Sequence, residues 1–471
     1  MMTPGRREFL ASLLAAAASA ARPRRAVATT ASTTPLWPRT SAQRAALGLP
    51  DPARHLRGAS SVKLQVQAPW LGPLRPLTPD LSAPPEVALS TRFPDIRRRI
   101  IFEYYPWYGT DPWYHWNEAG RTPPIDIAAT SMPRLGPYDS RDLRVIEQHA
   151  RWIADSGVGA INLSWWGRGD YTDLAVPRIL DVMRDHDIKV TFHLEPYADD
   201  RARRYLDDIL YLLREYGERR HWDVLLLLDE GQGRRAPVFK SFRTILPATA
   251  QDCHGQTFVV PDYTPDGEWR RQTDAVREVV QREFPRIHLL ADSLDMGRTG
   301  ACGFDGIAVY DNFVEPDLWP TLAADASAVG LVFSFNVNAG YDGYVLRDVA
   351  TNSCYQAPPF APGGAHPDWS SEAGRALAQT LALRRIDTSF DATTRLQAQP
   401  TLANATRGFF LTYVNSFNEW HEGHQFEPAK DAADLTPEER TVGYHNPIDG
   451  GARLRHLGSR LRTLVTPAVA A

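Results

Sequence analysis

The sequence predicts a single (β/α)8 TIM barrel of the α/β class, with a doubly wound parallel sheet as the second choice. Two observations carry this expectation. From about residue 98, short apolar runs alternate eight or nine times with amphipathic stretches, the pattern of parallel strands joined by crossover helices. Polar and aromatic residues also bunch at the C-terminal ends of the apolar runs, the face on which barrel enzymes build their sites.

Along the chain, Arg6 and Arg7 precede a mostly Ala/Leu stretch over 9–21 that is too short to span a bilayer. This order predicts a twin-arginine export signal over 1–28, with small-residue cleavage sites after Ala20 or Ala28, and a periplasmic or extracellular location. Residues 29–90 are rich in Pro, Ala, Thr and Ser without periodicity, which predicts a linker or arm. The catalytic domain is then expected over 91–466. Its candidate strands are Arg99–Tyr105, Ala160–Trp166, Lys189–Glu195, Thr257–Pro261, Ile287–Ala291, Gly306–Tyr310, Gly330–Asn336 and Phe409–Ser416, with another near Val224–Asp229 or Pro237–Phe242. Helical periodicity lies between them at Asp142–Asp155, Leu174–His186, Arg201–Tyr216, Asp274–Phe284 and Ser371–Arg385.

Composition excludes some functions. A net charge of −4 gives no electrostatic case for nucleic acid or an anionic membrane surface. Cys253, Cys302 and Cys354 permit at most one disulfide, so this is no cystine scaffold. No cofactor and no metal is expected, and oligomeric state is not legible.

The most informative stretch is 416–423, which holds Asn418, Glu419, Trp420, His421 and Glu422 at the end of an apolar run. Two carboxylates leaving one strand end beside aromatic and hydrogen-bonding groups suit cleavage of a glycosidic bond. One acid protonates the leaving oxygen while the other acts as base or nucleophile. The bland alternative is a pair of acids that caps the next helix and faces water. Six strand ends carrying Trp, Tyr, His and acids favour an enzyme over that alternative.

At this point the chain resembles glycoside hydrolase family 99, the endo-α-1,2-mannosidase and mannanase family, from about Phe102 to the C-terminal helix. The residues concerned are the runs at 104–109, 138–142, 164–167 and 190–197, Phe304 to Ile307, Gly340 to Asp342 with Arg347, and 416–423 followed by Gln425 and Glu427. The resemblance implies a (β/α)8 barrel and hydrolysis with retention. It implies that Glu422 is the general acid, and that Glu419 deprotonates the substrate's own 2-hydroxyl to form a 1,2-anhydro sugar. Trp165, His193 and Glu195 would line the subsite at the cleaved bond, and Tyr341 and Arg347 a substrate-side loop. Tyr105, Trp107, His115 and Trp116 are candidates for an aromatic wall, with packing beneath a loop as the alternative. Tyr197 and Asn418 complete the substrate-binding set, and the partner is an oligosaccharide or polysaccharide.

The chain departs from the family pattern at 237–244, where an expected tyrosine is missing and Lys240 and Arg243 bring cations. A cationic subsite for an acidic glycan and a solvated loop both fit that departure. His424 stands where the family carries Thr. Two competing readings remain: a carbohydrate-binding protein without turnover, and a metallohydrolase using His421, Glu422, His424 and Glu427.

Overall fold

The computed structural model describes residues 85–465, except 219–221, 231–233, 252–256, 313 and 343–366. The expected export signal, most of the arm, Cys253, Cys354 and Arg347 lie outside the described residues. The first described helix, Pro85–Arg92, already begins inside the stretch assigned to the arm, and Leu89 is buried in the core.

The framework is a mostly parallel curled sheet with helices. Its strands are β1 (Ile100–Tyr104), β2 (Ala160–Trp165), β3 (Lys189–Leu194), β4 (Arg235–Ser241), β5 (His288–Ala291), β6 (Gly306–Ala308), β7 (Val332–Ser334), β8 (Val337–Asn338) and β9 (Thr412–Asn415). The spatial order is β7-β6-β5-β4-β3-β2-β1-β9-β8, with every one of these ladders parallel. Strand order therefore follows chain order without the reversal that defines a doubly wound sheet. The helices between strands include α1 (Leu143–Ser156), α2 (Tyr171–Asp185), α3 (Arg201–Leu212), α4 (Asp266–Val280), α5 (Met296–Ala301), α6 (Trp319–Ala328), α7 (Glu372–Ala398) and α8 (Ala452–Val465). Asp142 caps α1 by accepting from the Arg144 amide, and Gly157 ends it in the left-handed region.

Side-chain alternation along each strand sorts the interior. Ile101, Ala160, Val238, Leu290, Ala308, Val332 and Leu411 cluster together inside the sheet, whereas Ile100, Phe102, Ile161, Leu163 and Phe192 belong to the core shared with the helices. The same alternation turns Glu103, Asn162, His193 and Lys240 inward, one step nearer the strands' C-terminal ends.

Two expectations are corrected and one choice is decided. Thr257–Val259 does not join the main sheet but pairs antiparallel with Thr249–Gln251, and Val259 is 74% exposed. Of the two runs offered for a further strand, Arg235–Ser241 supplies β4, and Leu227–Asp229 pairs antiparallel on it. Helix α7 runs on from Arg385 to Ala398, because its inward side continues through Ser389, Phe390 and Thr393.

Candidate active site

The acid pair leaves the C-terminal end of β9. Glu419 is fully buried, and its amide donates to the Ser416 hydroxyl at 2.7 Å. Its Oε1 accepts from the His421 amide at 3.0 Å and lies 3.3 Å from His421 Nδ1. Its Oε2 is buried without a protein partner. Burial pushes the Glu419 carboxyl up, His421 pulls it back, and the Glu422 charge adds to the rise. His421 responds in turn: burial opposes its imidazolium, yet Glu419 outweighs this and raises it to about 9. Glu422 Oε2 accepts from the Tyr310 hydroxyl at 2.9 Å and lies 2.5 Å from His424 Nε2. Beneath them Glu427 accepts from the Tyr138 hydroxyl at 2.7 Å and from the Trp420 indole at 2.9 Å, which pins the loop from below.

A second set of polar groups comes from β1 to β4. Glu103 Oε2 accepts from Asn162 Nδ2 at 2.8 Å and lies 3.1 Å from His193 Nδ1, while its Oε1 takes Lys240 Nζ at 2.5 Å. Burial alone would protonate Glu103, but Lys240 and His193 hold it at about 2. Glu195 accepts from the Ser164 hydroxyl at 2.8 Å, and burial pushes its carboxyl up. The two sets share one end of the sheet, since Glu195 follows β3 and Glu419 follows β9. Tyr105, at the end of β1, spans them. Burial first, then the charges of Glu195, Glu103 and Glu419, push its phenol well up.

The aromatic candidates divide. Trp107 stacks on His115 at 4.5 Å between ring centres and lies 6.1 Å from Trp166 and 5.8 Å from His421. Its Nε1 is buried. Trp116 packs under the loop instead, stacked on Tyr108 with its indole donating to the Tyr138 carbonyl at 2.7 Å. Trp165 points out of the sheet toward α2, where its indole donates to Asp173 at 2.8 Å. Trp166 is the indole facing inward, and it donates to the Ser164 hydroxyl at 3.1 Å. Tyr197 is turned toward α3, donating to Asp208 at 2.5 Å. The Asn418 amide is engaged with the backbone of Tyr105, accepting from its N–H at 2.7 Å and donating to its carbonyl at 3.0 Å. It ties two loops together. Tyr341 is buried next to Asp342, whose amide donates to the Glu422 carbonyl at 2.9 Å.

The cations of 237–244 are neither in a solvated loop nor free for an anion. Lys240 is fully buried on β4, paired with Glu103 and set over the rings of Tyr413 and Tyr310 at 4.5 and 5.1 Å. Arg243 pairs with Asp262 through two 2.8 Å bonds. Their charges are spent inside the protein, which removes the argument for an acidic glycan. No tyrosine stands at 237–244, but the Tyr310 phenol reaches the acid pair from the end of β6. The sequence left Glu103 and Tyr310 out of the site. Glu103 was legible as the one acid in an apolar strand, and Tyr310 as the phenol at a strand end.

The four residues of the metallohydrolase reading do not converge: His421 turns to Glu419, His424 to Glu422 and Glu427 to Tyr138. Among the described residues, His115, Glu118 and His421 bring possible ligand atoms within 4.8 Å of one another. Here His115 Nδ1 already faces Glu118 at 2.8 Å, and His421 Nε2 lies 3.2 Å from the His115 carbonyl. Cys302 is buried as a free thiol.

Comparison with known proteins meets this geometry. Residues 97–223 match the model of Glycosyl hydrolase family 99. The glycoprotein endo-alpha-1,2-mannosidase of Rattus norvegicus is 25% identical over 372 residues, or 69% of this chain and 67% of the rat protein. Its Xenopus laevis counterpart is 24% identical over 420 residues, or 81% of this chain and 78% of the frog protein. Among solved structures, the family 99 endo-alpha-mannosidase of Bacteroides thetaiotaomicron superposes with a TM-score of 0.54 at 21% identity, over 79% of this chain and 99% of that one. That last likeness is one of fold.

Proposed function

Taking as premise that the chain is a glycoside hydrolase of the family 99 kind, we propose that it cleaves α-mannosidic bonds within glycans, α-1,2 linkages foremost, with retention. Glu419 removes the proton of the sugar's 2-hydroxyl, and the oxygen so freed displaces the leaving group from the neighbouring carbon. In an α-mannoside the axial 2-hydroxyl lies anti to the axial leaving group, in line for this attack. Glu422 protonates the departing oxygen. Water then opens the 1,2-anhydro ring while the two acids exchange roles. This route is one of the exceptions to the usual two-carboxylate scheme, because the nucleophile belongs to the substrate.

The observation that supports it best is the difference between the two acids. Glu419 keeps a buried oxygen with no protein partner, open to a substrate hydroxyl, whereas Glu422 is held by Tyr310 and His424. A base needs a free oxygen at the reacting proton; an acid needs a fixed orientation toward the leaving group. His193 and Glu195 hold the sugar, with Trp107 and Trp166 supplying ring faces for its C–H surfaces.

Two further parts belong to this reading. We read the run over 332–338 as the one that would close a (β/α)8 barrel, because the sheet begins at β7 and ends at β8 and only Phe335 and Asn336 separate them. Residues 1–28 direct twin-arginine export, which Arg6→Lys with Arg7→Lys should stop, leaving precursor in the cytoplasm. The activity is tested by hydrolysis of an α-1,2-linked mannan, wild type beside Glu419→Gln, with products separated by chromatography. Release of short oligosaccharides that vanishes in the variant is expected. An inactive wild type on every α-mannan would overturn the substrate.

A further inference from the structure

We propose that Lys240 is a positioning residue: acting through Glu103, it holds His193 with its proton on Nδ1, so that Nε2 accepts a hydrogen bond from a sugar hydroxyl. The inference rests on the reading above only in naming a sugar as the donor.

The period of two along the strands turns four polar side chains to the inner side of the sheet: Glu103 from β1 and Asn162 from β2 at one level, and His193 from β3 and Lys240 from β4 two residues further along. All are buried, His193 being 1% exposed. An ionised carboxylate only accepts, so each neighbour of Glu103 must donate to it. Lys240 takes one oxygen at 2.5 Å, and Asn162 and His193 share the other at 2.8 and 3.1 Å. The proton of a neutral His193 is thereby assigned to Nδ1, leaving the lone pair on Nε2. That atom is buried without a protein partner, a condition rare enough in folded proteins to require a reason. A ligand hydroxyl supplies one.

The cation matters because His193 has acids on both sides. Glu103 lies at 3.1 Å and Glu195 at 3.7 Å, with Tyr310 and Phe242 packed against the ring at 5.9 and 5.8 Å and the Tyr105 phenol within the field of both acids. Two carboxylates without Lys240 would draw a second proton onto the imidazole, and Nε2 would become a donor. Lys240 sets its charge against one of these two acids, Glu103.

The test needs no substrate. Side-chain ¹⁵N shifts of His193 are followed from pH 5 to 9 in histidine-labelled enzyme, assigned by the signals lost in His193→Gln. Wild type is expected to show a protonated Nδ1 and an unprotonated Nε2 at neutral pH. Lys240→Met should move His193 to the imidazolium at that pH, and adding Glu103→Gln should return it to the neutral form, since Gln accepts from Nδ1–H without a charge. KM for mannan should rise about tenfold in Lys240→Met with kcat changed little, and fall back in the double variant, the size expected for one lost hydrogen bond. An imidazolium already present in wild type would overturn the proposal, even if no variant folds. So would a His193 signal unchanged by Lys240→Met. Absence of mannan cleavage sinks the substrate assignment alone, because the nitrogen shifts are read without it.

Discussion

Tyr310 donates its phenolic proton to Glu422 across 2.9 Å, joining the end of β6 to the loop that follows β9. Burial pushes the Tyr310 phenol well up, so it stays a donor over the whole working range of pH. Tyr310→Phe removes that donor and leaves His424 as the described hydrogen-bond partner of the Glu422 carboxyl. A hydrogen bond to a charged group contributes about 1.5–3 kcal/mol, which at a transition state is roughly 10- to 150-fold in rate. Steady-state kinetics on mannan should show the loss in kcat, with little change in melting temperature.

The two acids should separate by leaving group. Glu422→Gln is expected to fall in activity on natural linkages and to recover on aryl mannosides whose leaving group needs no proton, whereas Glu419→Gln should fall on both. Equal and small losses from the two variants would count against the assigned roles.

His421 carries a pH signature. Burial alone would favour its neutral form, but Glu419 lifts it to about 9, above the roughly 6.5 of an unfolded histidine. Its contribution to stability is therefore complete below about pH 6.5 and is lost as pH rises through about 9. Differential scanning calorimetry across pH 6–10 should find wild type losing melting temperature in that window. His421→Gln should start lower and lose less there.

Gly423 holds a left-handed backbone, φ 68°, between the acid pair and Asp342. A Cβ at this position would stand 2.0 Å from the Asp342 carbonyl oxygen. Gly423→Ala must displace either the 416–423 loop or the Asp342 segment, and a cost of roughly 2 kcal/mol or more is expected. Urea unfolding would measure it, and activity should fall further than stability because Glu422 moves with the loop.

The two adjacent indoles should behave differently. Trp166→Phe is expected to raise KM severalfold, since its indole faces Ser164 and Trp107. Trp165→Phe should lower melting temperature through the lost bond to Asp173 and leave KM near wild type. The reverse pattern would put Trp165 in the cleft.

Much of the candidate site was legible because its residues are local in sequence. Asn418, Glu419, Trp420, His421 and Glu422 lie within five positions, and an apolar run before them marks a strand end. The corrections come from side-chain direction. Trp165 and Trp166 are neighbours in sequence, and a strand sends neighbours to opposite faces, so their order along the chain does not say which one faces inward. Trp116 and Asn418 sit among site residues yet serve the loops, because a buried amide or indole is satisfied by whatever backbone passes nearby.

By itself the sequence determined the alternation of strands and helices, and it named the acid pair and the strand ends that make up the candidate site. These follow from hydrophobic period and short-range spacing, which need no knowledge of distant partners. Only the tertiary structure decided what Lys240 does. Its partner Glu103 lies 137 residues away, and a lysine reads as a solvated surface residue until a buried carboxylate is brought beside it. The same holds for Tyr310 and Glu422, 112 residues apart. Charge and hydrogen bonding act through space over a few ångströms, so the residues that tune a site become legible only when the sheet has brought its strand ends together.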